Sequence, residues 1–575
     1  MSARELITDH LDLWTGAVTS RSTAGRGRNG KIELTGIKKL RELILELAVR
    51  GKLLEQDPDD EPASVLLDRI AEEKARLVKE GKIKNAKKVP EVSIDEKSFI
   101  TPSNWQWGRL EQLFLVVTDG DHQAPPKAEN GTPFLVISNI NSGKVDFAGC
   151  RKVTDNYYKK LDWKKKPVSG DLLYTVTGSY GIPVIVNTNR FFCVQRHIAI
   201  LKPSELAPIS YFKLFLSSPY AKNYASSIAT GIAQKTVPLT GLRKLPIAIP
   251  PIEEQHRIVE KVDDLMALCD RLEQQEGDQL EAHEVLVDTL LDALTRSADA
   301  AEVTASWARI AEHFDILFTT EASIDKLKQA ILQLAVMGRL VEQDPNDEPA
   351  SVLLQRIAEE KARLVKEGKI KKTKSLPAIE TNKAPLFIPS TWEMARIGEF
   401  VSLISGQHLK GEEYTDSPED LAIPYLTGPA EFGDLSPSPT RFTNIKRAVA
   451  NPSDILITCK GSGVGSLNIA ETETAISRQL MAIRPIGVNK RFIFLLMGSL
   501  RKSIREKIVG IAIPGISRED ITYAVAALPP LAEQKRIVDK FDELMALCDQ
   551  LKARLAEAGE TRTHLAEAVV EQAVN

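Results

Sequence analysis

Acidic residues and a lysine near the start of this 575-residue chain have the spacing of a nuclease motif. The letters PD at 58–59 followed by EEK at 72–74 formally fit PD…ExK, in which carboxylates gather around a magnesium ion. In a second copy of the segment Asn346 replaces Asp59, and the EEK letters fall on a predicted surface helix rather than a core strand. We therefore interpret the pattern as a solvated helical face.

Other catalytic motifs are missing from the sequence. The Pro-Pro pairs at 125–126, 250–251 and 529–530 lack the neighbours of an adenine-methylase (N/D/S)PP(Y/F/W) motif, and no GxxxxGK[ST] phosphate loop occurs. The five cysteines have no CxxC spacing, which argues against a disulfide framework or a zinc site. We expect no catalytic residue, no metal site and no cofactor.

Two glycine-rich turns could bind phosphate. The segments 178–181 (GSYG) and 461–465 (GSGVG) each follow an apolar run that is predicted to be a strand. A tight glycine turn allows backbone N–H groups and a serine hydroxyl to approach a phosphate closely. An ordinary β-turn is the equally good alternative.

Two polar triplets follow these turns at similar distances. Gln195-Arg196-His197 aligns with Ser477-Arg478-Gln479. Arginine can make two hydrogen bonds to guanine, and glutamine can do the same with adenine. The alternative is that both triplets simply flank the start of a strand.

A basic run with interleaved aromatic residues lies between residues 152 and 166. Its lysines could attract phosphates, although such a run is often only a soluble face. A shorter and weaker counterpart lies around Arg441, Lys446 and Arg447. The candidate DNA-binding residues are Lys152, Tyr157, Lys159, Lys160, Lys164, Gly178, Ser179, Gln195, Arg196, Lys446, Arg447, Lys460, Ser462, Arg478 and Gln479.

Charge is distributed unevenly along the chain, although the formal net charge is only -3. Residues 100–250 hold 18 Lys and Arg against 9 Asp and Glu, a net of +9, whereas residues 251–296 hold 4 against 13, a net of -9. Residues 385–528 hold 15 of each sign. A polyanion responds to the local charge, so the first of these regions is the better candidate for nucleic-acid binding.

The candidate residues lie in a sequence that contains a long internal repeat. Residues 40–88 return almost letter for letter at 327–375, and the segment that begins PPIEEQHRIV at Pro250 returns as PPLAEQKRIV at Pro529. Between them lie a first variable region, about 100–249, and a second variable region, about 387–528, which share a frame but little sequence. The period is 287 residues from Gly51 to Gly338 and 279 from Pro250 to Pro529, so the scaffold is repeated while its inserts differ.

The repeated segments predict helices. After each Pro-Pro pair, apolar residues recur at steps of 4, 3, 4 and 3, which is the seam of an amphipathic helix that packs on a partner helix. The seam residues are Ile258, Val262, Leu265, Cys269 and Leu272 in the first copy, and Ile537, Phe541, Leu544, Cys548, Leu551 and Leu555 in the second. A helix from Pro250 to Arg296 is about 65 to 70 Å long at 1.5 Å per residue. The other repeat predicts two shorter helices, one ending at Gly51 and one running from Pro62 to Gly81.

Each variable region reads as a small α+β domain. Both begin alike, with ITPSNW at 100–105 and FIPSTW at 387–392. Apolar β-type runs then alternate with turn residues, and they predict strands at 134–140, 171–178, 182–186, 197–201, 454–461 and 479–485. Helices are predicted at 208–226 and 491–508, and linkers at 19–30, 82–98, 297–304 and 370–385.

A variable domain that ends in a PP-x-x-EQ-x-x-IV helix, present twice in one chain, resembles the specificity subunit of a Type I restriction-modification enzyme. The duplicated arm at 1–98 and 321–385 is similar to the longer Type IB form. The resemblance implies an α+β fold with two target recognition domains joined by long antiparallel coiled-coil helices in a pseudo-twofold internal repeat. It also implies no catalysis by the chain itself. Each domain would read one half of a split, asymmetric DNA site, the helices would set the spacing of the halves, and two methyltransferase subunits and restriction subunits would be partners.

The resemblance gives the following expected domains: an N-terminal helical arm at 1–98, target recognition domain 1 at 99–249, spacer helix 1 at 250–298, a linker and second arm at 299–385, target recognition domain 2 at 386–528, and spacer helix 2 at 529–575. No run of 18 apolar residues occurs, and the N-terminus carries acidic residues, so we expect a cytoplasmic protein. A protein scaffold that binds partners through both repeats, without nucleic acid, is the competing hypothesis.

Overall fold

The computed structural model describes residues 3–21, 31–83, 90–121, 125, 127–232, 234–297, 300–371, 375–379, 388–433, 435–461, 463–506 and 515–574. They form two compact units, the first of residues 1–279 with 557–575 and the second of residues 280–556. Ser462, one of the candidate residues, lies outside the described residues.

The first unit contains the first arm and the first variable region. Its helices are α1 (Ala3–Thr8), α2 (Leu11–Gly16), α3 (Thr35–Val49), α4 (Ala63–Lys79), α5 (Leu110–Leu113), α6 (Asp155–Lys160), α7 (Ile209–Ser217), α8 (Pro219–Ile228), α9 (Leu239–Arg243) and most of α10 (Ile252–Arg296). Its strands are β1 (Thr19–Arg21), β2 (Lys31–Glu33), β3 (Gln106–Arg109), β4 (Phe114–Asp119), β5 (Lys127–Leu135), β6 (Arg151–Val153), β7 (Leu172–Thr175), β8 (Pro183–Ile185), β9 (Cys193–Val194), β10 (Ile198–Pro203) and β11 (Pro246–Ile249).

The second unit repeats this order with local differences. Its helices are α11 (Ala300–Glu312), α12 (Phe314–Leu317), α13 (Glu321–Val336), α14 (Ala350–Lys366), α15 (Ile397–Phe400), α16 (Lys490–Glu506), α17 (Arg518–Thr522) and the first part of α18 (Leu531–Val574). Its strands are β12 (Glu393–Arg396), β13 (Val401–Ser405), β14 (Ile423–Leu426), β15 (Phe442–Thr443), β16 (Val449–Ala450), β17 (Ile455–Thr458), β18 (Leu467–Ile469), β19 (Thr474–Ile476), β20 (Leu480–Pro485) and β21 (Val525–Leu528).

Each variable region is built on an antiparallel four-stranded sheet, in the order β4-β10-β7-β8 in the first region and β13-β20-β17-β18 in the second. A second sheet contains a parallel pair in both regions, β5 with β9 and β14 with β19. A two-stranded ribbon, β3 with β11 or β12 with β21, ties the start of each region to its end. The fold is therefore α+β, as the sequence predicted.

The arm helices stop where glycine permits a left-handed turn. Gly51 and Gly81 have φ of 69° and 68° after α3 and α4, and Gly338 and Gly368 have φ of 72° and 71° after α13 and α14. A side chain at such a φ is strained, and glycine just past a helix end lets the last carbonyls find partners. The predicted ends of these helices agree with the structure.

In the first unit the start of α10 and the end of α18 pack with α3. Seam residues of α10, among them Ile258 and Cys269, share a hydrophobic cluster with Leu40 of α3 and Ala566 of α18. Arg41 binds Asp270 at 2.7 Å and Gln56, after α3, binds Glu254 at 2.9 Å, so α10 runs opposite to α3. Lys39 lies 3.5 Å from Glu567 and Arg50 donates to the carbonyl of Val574 at 3.0 Å, so α18 runs in the same direction as α3. The order of these contacts along the helices makes α10 and α18 antiparallel here.

In the second unit α13 takes the place of α3. Lys326 binds Glu284 and Asp288 of α10 at 2.9 and 2.7 Å. On α18, Lys552 binds Asp325 at 3.1 Å, and Asp549 binds Lys328, which lies further along α13. Arg339 near the end of α13 donates to the carbonyl of Thr295, at 3.4 Å. Within this unit too, the contacts of α13 make α10 and α18 antiparallel. The seam residues Ile537, Phe541 and Cys548 of α18 are buried, and the other three are half-buried.

A buried glutamate links the arm, the variable region and the long helix in each unit. Glu254 of the PPIEEQ segment is 1% exposed and accepts hydrogen bonds from Trp105 Nε1 and Gln56 Nε2, both at 2.9 Å. Glu533 of the second copy is likewise buried and accepts from Trp392 at 2.9 Å and Gln343 at 2.7 Å. Burial raises the pKa of both carboxyls, against the effect of these hydrogen bonds. We call each arrangement a glutamate lock.

Several local predictions were wrong. The helix predicted at 208–226 is split into α7 and α8, because Ser218 caps α8 by accepting from the backbone of Ala221 and Pro219 opens that helix. The run 134–140 leaves its strand at Leu135 and continues as a 3-10 turn. Part of the predicted linker at 19–30 is strand β1, and the predicted linker at 297–304 is helical from Ala300.

Among the described residues no helix is both long and apolar enough to cross a membrane.

Candidate nucleic-acid interface

The two polar triplets occupy the same turn in both variable regions. The carbonyl of His197, just before β10, accepts from the N–H of Val176 at 3.0 Å, and the carbonyl of Gln479, just before β20, accepts from the N–H of Cys459 at 2.7 Å. On the other side, Gly120 donates to Ile198 and Gly406 donates to Leu480, at 3.3 and 3.0 Å. Each turn thus lies between the ends of two neighbouring strands.

A close backbone approach fixes this turn. A Cβ added to Gly120 would lie 2.0 Å from the carbonyl oxygen of Val194, and one added to Gly406 would lie 1.9 Å from that of Ser477. No side chain fits at such distances, so both positions require glycine. These two glycines were not singled out from the sequence, where nothing marks the neighbouring chain.

The side chains on the two turns differ. Arg196 and Arg478 are both exposed, and Gln479 is exposed as well. Gln195 is half-buried, and its backbone N–H donates to the carbonyl of Leu135 at 2.9 Å. Partial burial and the neighbouring Arg196 lower the pKa of His197, which favours its neutral form with one donor and one acceptor nitrogen. The matching positions therefore offer different hydrogen-bonding groups.

The glycine-rich turn of the first region is less open than its sequence suggested. Gly178 adopts φ 69°, and its N–H donates to the carbonyl of Lys235 at 2.9 Å. The N–H of Gly181 donates to the carbonyl of Thr175 at 3.0 Å. Ser179 is exposed, so its hydroxyl rather than these two amides faces solvent. In the second region Lys460 is exposed, and its backbone bridges to Gly515.

Asp121 connects the basic run to the turn before β10. Its carboxylate accepts from the hydroxyl of Tyr157 at 2.8 Å and from Lys165 at 3.3 Å, and its backbone forms a bridge with Gln195. Burial and the hydrogen bond to Asp121 raise the pKa of Tyr157. The predicted aromatic residue of the run is thus held in place by an acid that sequence reasoning passed over.

The lysines of the basic run fall into two groups, those that are partnered or half-buried and those that are exposed. Lys166 donates to the carbonyl of Lys159 at 3.1 Å and lies over the ring of Tyr158. Lys152 and Lys164 are half-buried, whereas Lys159 and Lys160 at the end of α6 are exposed and form no ion pair with a described residue. The last two are the side chains of the run best placed to attract phosphates.

The three basic residues of the shorter run in the second region are each paired with a nearby acid. Lys446 binds Glu473 at 2.7 Å, Arg447 binds Glu413 at 2.7 Å and Arg441 lies 3.8 Å from Asp416. These pairs agree with the equal number of charges of each sign in this region. Unlike Lys159 and Lys160 of the first region, these three residues therefore do not present unpaired positive charge.

Exposed apolar side chains are a feature of the first region that sequence reasoning missed. Phe191 is 70% exposed and lies against Tyr158, with ring centroids 6.0 Å apart. Ile232 is 107% exposed. Only a structure distinguishes these residues from the many apolar residues of the core.

The structure gives the nuclease pattern no support. Lys74 donates to the backbone carbonyl of Glu111, and burial lowers its pKa to about 8, whereas Glu72 is exposed on α4. Among the described residues, no group of three His, Cys, Asp or Glu side chains is arranged to hold a metal ion.

Comparison with known proteins places this architecture in a family. The family model of the Type I restriction modification DNA specificity domain matches residues 102–282 and 389–558. The EcoAI and EcoEI specificity subunits of Type I restriction enzymes from Escherichia coli are 39% and 40% identical to this chain, each over the full length of both proteins. The HsdS subunit from Thermoanaerobacter tengcongensis is 20% identical, with 84% of this chain and 99% of that chain covered and a TM-score of 0.44. The chain belongs to the family of Type I restriction-modification specificity subunits, and it carries two copies of their DNA specificity domain.

Proposed function

We propose that this chain reads an asymmetric DNA sequence in two parts, one with each variable region, and directs adenine methylation or restriction by partner subunits. It contributes recognition and no catalytic centre. The absence of methylase and phosphate-loop motifs from the sequence supports this division of labour.

One observation carries the proposal: the same strand-and-turn frame is present twice with different side chains on it. Arg196 is followed by His197 in the first copy, and Arg478 is followed by Gln479 in the second. A histidine and a glutamine present different donors and acceptors to a base edge. Two equivalent strand-and-turn arrangements that carry different side chains suit two DNA half-sites of different sequence.

The arms support binding of two copies of one partner. Helices α4 and α14 are identical at 16 of 17 positions, although only three residues of each are buried. By contrast, α3 and the matching residues 322–336 of α13 are identical at 8 of 15 positions, mostly buried ones. Packing alone does not require exposed residues to be identical, so the matching faces suit two methyltransferase subunits, with restriction subunits joining through that complex.

Mapping methylated adenines in cellular DNA, with and without the gene for this chain, tests the proposal. We expect one split, asymmetric sequence to lose methylation when the gene is removed while the methyltransferase gene is retained. Unchanged methylation, together with no DNA binding by the full chain at low salt, would instead favour the scaffold hypothesis. Any such binding should weaken steeply with salt, because phosphate contacts release counterions.

A further inference from the structure

The loop between α8 and α9 carries an isoleucine that no described residue covers. Ile232 is 107% exposed, the largest value among the large hydrophobic residues of the described chain. It lies in a hairpin closed by Thr230 and Thr236, whose backbones exchange hydrogen bonds of 2.9 and 2.8 Å. Gly231, directly before it, has φ 107°, and a Cβ there would lie 2.5 Å from the carbonyl oxygen of Gln234. The described residues of the hairpin thus hold an apolar side chain in solvent.

The hairpin lies on the surface that carries the candidate DNA-binding turns. Val176 connects them, since its N–H donates to His197 at 3.0 Å while its carbonyl accepts from Val237 at 2.7 Å. Lys235 of the hairpin is exposed, and its carbonyl accepts from Gly178 at 2.9 Å. The region has a net charge of +9, which suits a polyanion on this surface.

The sequence Gly-Ile-Ala that includes Ile232 is repeated in the second variable region. Counted back from the two Pro-Pro pairs, residues 230–237 (TGIAQKTV) align without a gap with residues 509–516 (VGIAIPGI), and only Gly-Ile-Ala is identical. The register is the same where the structure describes both segments, because Val237 donates to Val176 at 2.7 Å and Ile516 donates to Cys459 at 2.8 Å. A residue shared by regions that read different bases is suited to a contact that does not depend on the base sequence.

We propose that Ile232 is an apolar wedge that enters a base step of the half-site bound by the first variable region. This inference rests on the proposed DNA-reading function and adds to it a contact that deforms the duplex without reading it. Isoleucine is among the side chains that other proteins insert between base pairs, where they partly unstack the step. The base-reading residues lie on the adjoining turn, so a wedge here would fix the position of the duplex against Arg196 and His197.

The test uses the full chain assembled with its methyltransferase partners and a duplex carrying the mapped recognition site. 2-Aminopurine is placed at each position of the relevant half-site in turn, and its fluorescence reports unstacking. We expect the wild type to raise the fluorescence at one base step. Ile232→Ala should not raise it, whereas Ile232→Leu should raise it as the wild type does. Loss of three buried carbons should weaken binding about 10- to 50-fold. The factor should be the same for the true site and for a duplex altered in that half-site.

Ile100→Ala is the matched control, because Ile100 is 94% exposed but lies at the entrance of the region. It should change neither fluorescence nor affinity. Wild-type affinity and fluorescence in Ile232→Ala would overturn the wedge. The wedge would also be overturned if Ile232→Ala lost affinity only for duplexes with one particular base pair and the wild type caused no unstacking. That result would favour contact with a thymine methyl group. Failure of the wild type to bind any duplex would reject the proposed function itself, an outcome distinct from the other two.

Discussion

Arg196 and Arg478 hold the same place in the two frames, and this makes them a matched pair for mutation. Each side chain is exposed, and each turn is fixed by a glycine that tolerates no Cβ. Removal of the guanidinium should therefore leave the backbone of the turn unchanged. The effect of each substitution should be confined to the half-site that its own region contacts.

We expect Arg196→Ala to weaken binding of the true site by about 1–3 kcal/mol, the range for a lost bidentate contact with guanine. Competition binding against duplexes altered in one half or the other measures this. Arg478→Ala should give the complementary pattern. An equal loss on all duplexes from either variant would mean that these arginines contact phosphates instead.

The ion pair of Arg109 and Glu96 gives the first unit a predictable response to acid. Arg109 is 3% exposed, and its guanidinium donates to Glu96 at 2.7 and 2.8 Å. These bonds hold the pKa of Glu96 at about 2, below its ordinary value of 4.5. A lowered carboxyl pKa adds stability above pH 4.5, and that stability is lost as the pH falls toward 2.

Glu96→Gln should therefore lower the free energy of unfolding near pH 7 and make little difference near pH 2. We expect a loss of about 1 kcal/mol near neutrality, since the carboxylate is partly exposed and screened by solvent. Urea unfolding of both proteins between pH 2 and 7 tests this. A constant difference across the range would indicate lost packing rather than lost charge.

At the scale of secondary structure elements, the glutamate locks explain the repeated glutamate of the PP-x-x-EQ segments. One carboxylate accepts hydrogen bonds from a tryptophan at the entrance of the variable region and from a glutamine of the arm. The neighbouring arginine adds an ion pair to the arm, Arg257 with Asp60 at 2.5 Å and Arg536 with Asp347 at 2.6 Å. Three elements in each unit are thus held together by two residues of one helix, a glutamate and the arginine three positions after it.

We expect Glu254→Ala to destabilise the first unit by about 1–3 kcal/mol, because the buried N–H of Trp105 loses its acceptor. Glu254→Gln should cost less, since an amide keeps one acceptor and Gln56 can turn its own amide to match. Thermal unfolding followed by calorimetry would show the transition of the first unit shifted and that of the second unchanged. Glu533→Ala should do the reverse. Equal stability of Glu254→Ala and the wild type would show that the glutamate lock does not stabilise the first unit.

The elements also show what the sequence could predict. Hydrophobic periodicity and terminal glycines located α3, α4, α10 and α18, because both signals are local. The parallel pairing of β5 with β9 was not visible, since it joins strands far apart in the chain. For the same reason, the sequence could not reveal that Gly178 donates to Lys235 or that Lys446 and Arg447 are paired with distant glutamates. Residue types in the sequence suggested the candidate residues. Contacts between distant parts of the chain determine which of these residues are exposed and unpaired.

At the scale of the whole molecule, the chain holds a scaffold constant and varies what it carries. The arms, the glutamate locks and the seams of α10 and α18 occur in both units with the same partners. The variable regions keep their sheet order but differ in charge, with +9 over residues 100–250 and none over 385–528. The first region should therefore contribute more of the salt-dependent affinity, while both contribute specificity.

This separation predicts that a variable region can be exchanged as a module. Replacement of residues 387–528 by the equivalent region of a relative should change one half of the recognised sequence and leave the other half unchanged. Because β12 and β21 pair at the two ends of the region, both boundaries should be kept within that ribbon. The test is a map of methylated adenines in cells that express the chimera with the same methyltransferase. Altered sequence in both halves would show that the two regions are coupled, and they would then not be independent readers on a common scaffold.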